Sequence, residues 1–238
     1  MSEEHLIKSN KRVKEHGEVF TPKRVVKLML NQHELYGALH SLTATFLEPA
    51  AGEGAFLTEM LSRKLELANH MSSDIKGFEQ NALIALTSLY GIELLVDNTD
   101  LLVMHMYQVF YQEYLRQLSK YNAPENNKVL KSALTIIKAN MAQGDALTGK
   151  NKNGDDIIFS EWNLLPVKRG VQKVKRIEYT LDAIKTGGPS VDGQHQTHGY
   201  EELSLFESTN EEAQNTVYRF KTVPLIDVFK EIRTSVLK

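Results

Sequence analysis

From Thr21-Pro22 onward the chain alternates between two hydrophobic periods. In the run 23–30, Val25, Val26, Met29 and Leu30 recur at helical spacing and predict a helix with one apolar face. Thr21 is placed to cap it, with Pro22 at the first helical position. Ala44-Thr-Phe-Leu47 is a short apolar run that reads as a buried strand ending at Glu48-Pro49. A glycine-bearing turn follows, and helical periodicity resumes over 56–64. Residues 81–88 read as helix, and Leu89-Tyr-Gly-Ile-Glu-Leu94 as a second strand that stops at an acidic residue. A long helix is predicted over 97–118, with Leu101, Leu102, Met104, Met106, Val109 and Phe110 at its apolar positions. Another follows over 128–140, and Met141-Ala-Gln-Gly-Asp145 resembles a strand-end turn. Strands alternating with helices predict parallel βαβ units. The expected fold is therefore α/β, a mostly parallel sheet with helices on both faces.

Past residue 150 the pattern loosens. Gly149 to Gly154 is turn-rich, and 157–162 is strand-like. The stretch 167–176 is basic, carrying Lys168, Arg169, Lys173, Lys175 and Arg176. Residues 186–199 have linker composition. An acidic patch follows at Glu201, Glu202, Glu207, Glu211 and Glu212, and the last predicted element is an amphipathic helix over 226–237. The expected organisation is a basic N-terminal segment at 1–20, with Lys8, Lys11, Arg12 and Lys14. A ligand-binding domain spans 21–165, and an irregular C-terminal extension 166–238.

Composition narrows this little. A formal net charge of -2 argues against a protein that coats nucleic acid through bulk charge, though not against a local basic face. With no cysteine, disulfides and thiolate zinc sites are excluded. No apolar run approaches the ~20 residues that cross a bilayer. The first residues lack a secretory pattern, so no membrane partner is expected and the expected location is the cytoplasm. His195 and His198 lie three apart without other clustered ligands, in linker-like sequence, and read as solvated; no metal site is assigned.

The chemistry concentrates in Leu47-Glu-Pro-Ala-Ala-Gly-Glu-Gly54. A strand that ends in small residues and passes at once into a helix brings backbone close to a ligand. Gly52 and Gly54 can take positive φ and carry no side chain to block the approach. The helix start offers unpaired N–H groups to an anion. The spacing does not fit the three-glycine dinucleotide fingerprint, which counts against a nicotinamide enzyme.

These residues resemble motif I of the amino-methylating DNA methyltransferases of restriction–modification systems, Asp/Glu-Pro-x-x-Gly-x-Gly-x-Phe. Gly17-Glu-Val-Phe-Thr-Pro22 resembles their motif X, Tyr90-Gly-Ile-Glu-Leu94 their motif II, and Gln143-Gly-Asp-Ala-Leu147 their motif III. The order and the strand-end positions agree with the family over about 14–150. The resemblance implies S-adenosylmethionine as cofactor. It places Glu93 on the ribose hydroxyls, Asp145 on the adenine amino group, and the Thr21-Pro22 turn over the methionine end. The implied cofactor contacts are Phe20, Thr21, Pro22, Glu48, Pro49, Ala50, Gly52, Gly54, Phe56, Glu93, Leu94, Asp145 and Ala146. DNA is the implied partner and adenine N6 the implied target.

One part of the family pattern is missing. Motif IV, Asn/Asp/Ser-Pro-Pro-Tyr/Phe, orients the target amine and stacks on the flipped base. Here the prolines are Pro22, Pro49, Pro124, Pro166, Pro189 and Pro224, none adjacent to another. Phe159-Ser-Glu-Trp162 is the nearest substitute, with Ser160, Glu161 and Trp162 as the weak catalytic candidates. Two readings stay open. The chain is a DNA adenine methyltransferase, or its cofactor-binding subunit, in a restriction or phage-defence setting, with a second subunit supplying motif IV and target recognition. Alternatively it is a non-catalytic relative that binds and regulates a partner protein or DNA.

Overall fold

The computed structural model describes residues 9–16, 21–191 and 217–236. In chain order these carry α1 (Asn10–His16), α2 (Lys23–Leu30), α3 (His33–Leu39), β1 (Phe46–Glu48), α4 (Ala55–His70) and α5 (Ile75–Thr87). Next come β2 (Leu89–Glu93), α6 (Val96–Tyr121), α7 (Asn127–Asn140) and β3 (Met141–Gln143). The C-terminal part adds β4 (Ile158–Leu164), β5 (Lys173–Thr180), α8 (Leu181–Thr186), β6 (Val217–Phe220), β7 (Val223–Pro224), a 3-10 helix (Leu225–Lys230) and β8 (Arg233–Val236).

The protein is a mixed α/β chain built on a parallel sheet of order β1-β2-β3, with Phe46 opposite Leu89 and Gly91 opposite Met141. Two helices cross over between each pair of strands. Local chemistry fixes their ends. The Asp74 carboxylate accepts from the Gly77 N–H at 2.7 Å to start α5, and Asn126 caps α7 through Lys128 N–H. Helix α6 stops where Asn122 turns left-handed, with φ 48°.

Side chains alternate across the sheet and split the core in two. Leu89 and Met141 face the four crossover helices and join Leu57, Leu61, Leu65, Phe78, Leu83, Leu86, Leu102, Met106, Phe110, Val129 and Ile136. Their i, i+3 and i+4 spacing gives each helix one buried stripe. Each such side chain contributes about 1.5–3 kcal/mol of burial. Ile92 and Ala142 point the other way, against Ile157 just before β4, Phe159 within it and Leu181 of α8.

Lys64 of α4 lies wholly inside the larger core. Its ammonium donates to the carbonyls of Ser41 at 2.6 Å and Ala44 at 2.9 Å, closing the turn that leads into β1. Burial pulls its pKa from 10.5 down to about 8. A second buried polar contact joins α6 to α5 and the α6–α7 turn. Tyr114 donates to Glu79 at 2.7 Å and accepts from the Asn126 N–H at 3.0 Å.

Several expectations are corrected. The sheet is parallel only through β1–β3. β4 and β5 form an antiparallel hairpin in a second sheet of order β4-β5-β7, and β6 pairs with β8. The second face is thus covered by β4 and the short α8 instead of long crossover helices. Thr21 does not cap α2. Pro22 occupies the cap position in extended conformation, and its carbonyl accepts from Val25 and Val26, one residue too late for the Thr21 hydroxyl to serve. The predicted helix over 226–237 is a 3-10 turn followed by a strand. Glu231 has φ 44° between them, and Arg233-Thr-Ser-Val236 pairs with β6.

The C-terminal part is joined to the main core. Trp162, Val174, Leu225 and Val228 all belong to it, and the Ser132 hydroxyl donates to the Ile226 carbonyl at 2.8 Å. The β4–β5 hairpin also straddles residue 165, where the sequence had placed a boundary. Of the basic run, Arg176 is only 12% exposed. It donates to the Ser160 hydroxyl, Glu178 and Glu231, and lies over the rings of Trp162 and Phe220. It is a tie between strands.

Candidate functional site

The carboxyl ends of β1, β2 and β3 meet at Glu93. Past Glu48 the chain leaves β1 but stays bound to β2, the Ala51 N–H donating to the Ile92 carbonyl at 2.9 Å. The Gly52 N–H then donates to Glu93 Oε2 at 2.8 Å. On the other side the Gly144 N–H donates to the Glu93 carbonyl at 2.9 Å, and Gln143 Nε2 donates to the Leu94 carbonyl at 2.7 Å. Residues about 40–50 positions apart in sequence are thereby drawn together at the strand ends, where open α/β sheets bind ligands.

The glycine loop has the geometry its sequence demands. Gly54 heads α4 with φ 94°, and a Cβ there would meet Leu102 at 2.6 Å. Gly52 has φ 55°, and a Cβ would find nothing within 4 Å, so this face of the loop opens outward. His105 of α6 donates from Nδ1 to the Glu53 carbonyl at 2.8 Å and holds the loop from below. The first N–H groups of α4 have no side-chain cap, so they remain available to an anionic group. At the loop's start, burial pushes the Glu48 carboxyl above its ordinary value, with the Ala50 N–H countering. Pro49 and Ala50 are exposed.

Glu93 itself is buried. Oε1 accepts from the Leu95 N–H at 3.0 Å and from Asn98 Nδ2 at 3.3 Å. With the Gly52 bond its two oxygens have three donors, leaving acceptor capacity for one further hydroxyl. Asp145 follows β3 in a tight turn, its Oδ1 accepting from the Leu147 N–H at 2.8 Å. Leu94 is 51% exposed and Leu147 93% exposed. Apolar side chains held out of the core beside these two carboxylates suit a flat, partly polar ring.

Of the residues singled out from sequence, Gly52, Glu93 and Leu94 are brought together by direct bonds, with Asp145 and Ala146 on the adjoining turn. Phe56 is half-buried and packs against the main core. Thr21 and Pro22 precede a helix that packs on α4 and accepts from Arg63 through the Leu30 carbonyl. Phe20, His195 and His198 lie outside the described residues.

Ser160, Glu161 and Trp162 do not join the residues around Glu93. Trp162 is buried, and its indole N–H donates to Asn140 Oδ1 at 2.9 Å. The same Asn140 donates to the carbonyls of Leu86 and Leu89. Those atoms lie where β2 and β3 begin, the opposite end of the sheet from Glu93. Glu161 accepts from Asn163 at 3.0 Å.

Sequence reasoning missed His105 and Asn98, ordinary polar positions on a helix with no local signal. Arg12 of α1, a member of the N-terminal basic cluster, donates to both carboxylate oxygens of Asp97, at 2.7 and 3.2 Å, and so is already engaged.

Two hollows lie away from the strand ends. One of about 520 Å3 runs along the second sheet face between Phe46, Tyr90, Phe159 and Ile184. The other, about 660 Å3, lies between α6 and α7 and is lined by Asp97, Met104, Tyr107 and Lys138. Among the described residues no helix is long and apolar enough to cross a membrane.

No curated protein and no solved structure matches the chain. The family model described as N-6 DNA methylase matches residues 3–166, which is more than half of the 238. That span contains β1, β2, β3 and all the residues that meet at Glu93. The chain belongs to the N-6 DNA methylase family.

Proposed function

We propose that the chain binds S-adenosylmethionine at the three strand ends of a Rossmann-like sheet and serves DNA adenine-N6 methylation as the cofactor-binding half of the assembly. The setting is restriction–modification or phage defence. The observation that carries this reading is the position of Glu93, tied to Gly52 and, through its carbonyl, to the turn that presents Asp145.

Each residue then has a task. Glu93 accepts from one of the ribose hydroxyls, and Asp145 from the adenine amino group. Leu94, Ala146 and Leu147 flank the ring. The Gly52–Gly54 loop and the first N–H groups of α4 face the carboxylate of the methionine end, with Thr21 and Pro22 closing from the N-terminal side. The bound cofactor supplies an electrophilic methyl group on its sulfonium. The protein's part is to hold its adenosine and methionine ends so that a base nitrogen can be set in line.

These 238 residues hold no adjacent prolines, and Trp162 is committed to Asn140, which supports a reading in which other residues supply the acceptors for that nitrogen. We assign them, with the target-base contacts, to a second subunit. The same placement of Trp162 favours one alternative, a non-catalytic family member that binds DNA or a partner and regulates it.

Calorimetry with S-adenosylhomocysteine tests the cofactor claim, and no heat at high micromolar ligand would end it. A methyl-transfer assay on DNA, run with and without the neighbouring gene product, separates the two readings. Transfer only with both chains supports the split enzyme, and transfer with neither combination supports the regulator. Robust transfer by this chain alone would overturn both.

A further inference from the structure

We infer that Arg12 and Asn98 are positioning residues that couple docking of the N-terminal helix α1 to cofactor binding at Glu93. The inference rests on the cofactor reading above.

The relay runs through three separated stretches of sequence. The Arg12 guanidinium forks onto Asp97, and its Nη2 also donates to Asn98 Oδ1 at 3.2 Å. Asn98 is 1% exposed, and its Nδ2 donates to Glu93 Oε1 at 3.3 Å. Glu93 Oε2 in turn holds the Gly52 N–H. The Asn98 amide has one workable orientation here, with its oxygen toward the cation and its NH2 toward the carboxylate. The flipped amide would set donor against donor and acceptor against acceptor. Arg12 therefore fixes the amide that fixes one oxygen of Glu93.

The Arg12–Asp97 pair is partly solvated, with side chains 25% and 54% exposed. Such a pair contributes little alone, and Asp97 is already well placed in the first turn of α6. What is specific to the coupling is the bond from Arg12 to Asn98, which passes the position of α1 into a buried carboxylate. A weak outer contact joined to a buried polar chain suits a reversible clasp. A ligand that donates to Glu93 strengthens the chain behind it, and by reciprocity a docked α1 strengthens ligand binding by the same factor.

The test is S-adenosylhomocysteine titration of the wild type, Arg12→Ala and Arg12→Lys, with amide hydrogen exchange followed over residues 10–16. In the wild type the ligand should slow exchange in α1. Arg12→Ala should bind about fivefold or more weakly, with fast exchange in α1 that the ligand no longer changes. Arg12→Lys keeps the charge without the fork and should fall between. Wild-type binding with Arg12→Ala unchanged overturns the coupling alone, as does wild-type binding that leaves exchange in α1 unaltered. Failure of the wild type to bind removes the cofactor reading and the coupling together.

Discussion

The Gly52 N–H donates to Glu93 Oε2 at 2.8 Å across 41 residues of sequence, and this bond ties the loop after one strand to the end of its neighbour. Each partner restrains the other. The buried carboxylate holds a positive-φ glycine in place, and the glycine satisfies an oxygen that would otherwise be desolvated without a donor.

Glu93→Ala should weaken S-adenosylhomocysteine binding by about 1–3 kcal/mol, losing charge-assisted acceptors and the anchor of the glycine loop. Calorimetry reads the loss directly. An unchanged affinity would remove Glu93 from the site.

The two loop glycines should respond differently to alanine. Gly54→Ala forces a Cβ against Leu102 at 2.6 Å and holds it at φ 94°, so thermal stability should fall clearly. Gly52→Ala meets no atom within 4 Å, so its stability cost should be limited to about 1–2 kcal/mol of left-handed strain. Its larger effect should be on cofactor affinity, because the new methyl lies on the open face of the loop. Melting temperatures and calorimetry on both variants check the contrast.

Trp162→Phe leaves Asn140 Oδ1 buried without its donor and should destabilise the fold by about 1–3 kcal/mol. S-adenosylhomocysteine affinity should stay at the wild-type value, because Trp162 lies at the far end of the strands. A loss of ligand binding larger than the loss of stability would bring Trp162 back into the site.

Lys64 predicts a specific alkaline behaviour. Its folded pKa of about 8 lies below the ordinary 10.5, so between these values the unfolded chain holds the extra proton and stability rises with pH. Below pH 8 both states are charged and this contribution is flat. Lys64→Met should abolish the rise. It should also cost about 1–3 kcal/mol at pH 7, because the carbonyls of Ser41 and Ala44 lose their donor. Denaturant midpoints at pH 7 and 9.5 measure both effects.

The features legible in the sequence are those fixed within a short stretch. The apolar run into Glu48-Pro49, the glycines after it and the acidic stop at Glu93 carry their signal within a few residues each, and all three fall at strand ends. The helix stripes were readable for the same reason. Across the rest, partners decide. Arg233-Thr-Ser-Val236 has an amphipathic pattern until β6 offers a ladder, and Arg176 looks like a solvated cation until Glu178, Glu231 and Trp162 surround it. Trp162 had the right chemistry to stack on a base. Its position follows from Asn140, which no spacing rule connects to it.

The 3-10 turn against α7 bears on how the chain is made. Leu225 and Val228 complete a core begun by α4, and Ser132 is bonded to a carbonyl 94 residues further on. A ribosome must therefore have delivered the chain through Val228 before that core can close. The helices around Glu93 can form early from local contacts, while their outer flank waits for residues 225–228. Chains cut short before residue 225 would carry Glu93 and its partners on a body with an unfinished seam, exposed to proteases and to one another.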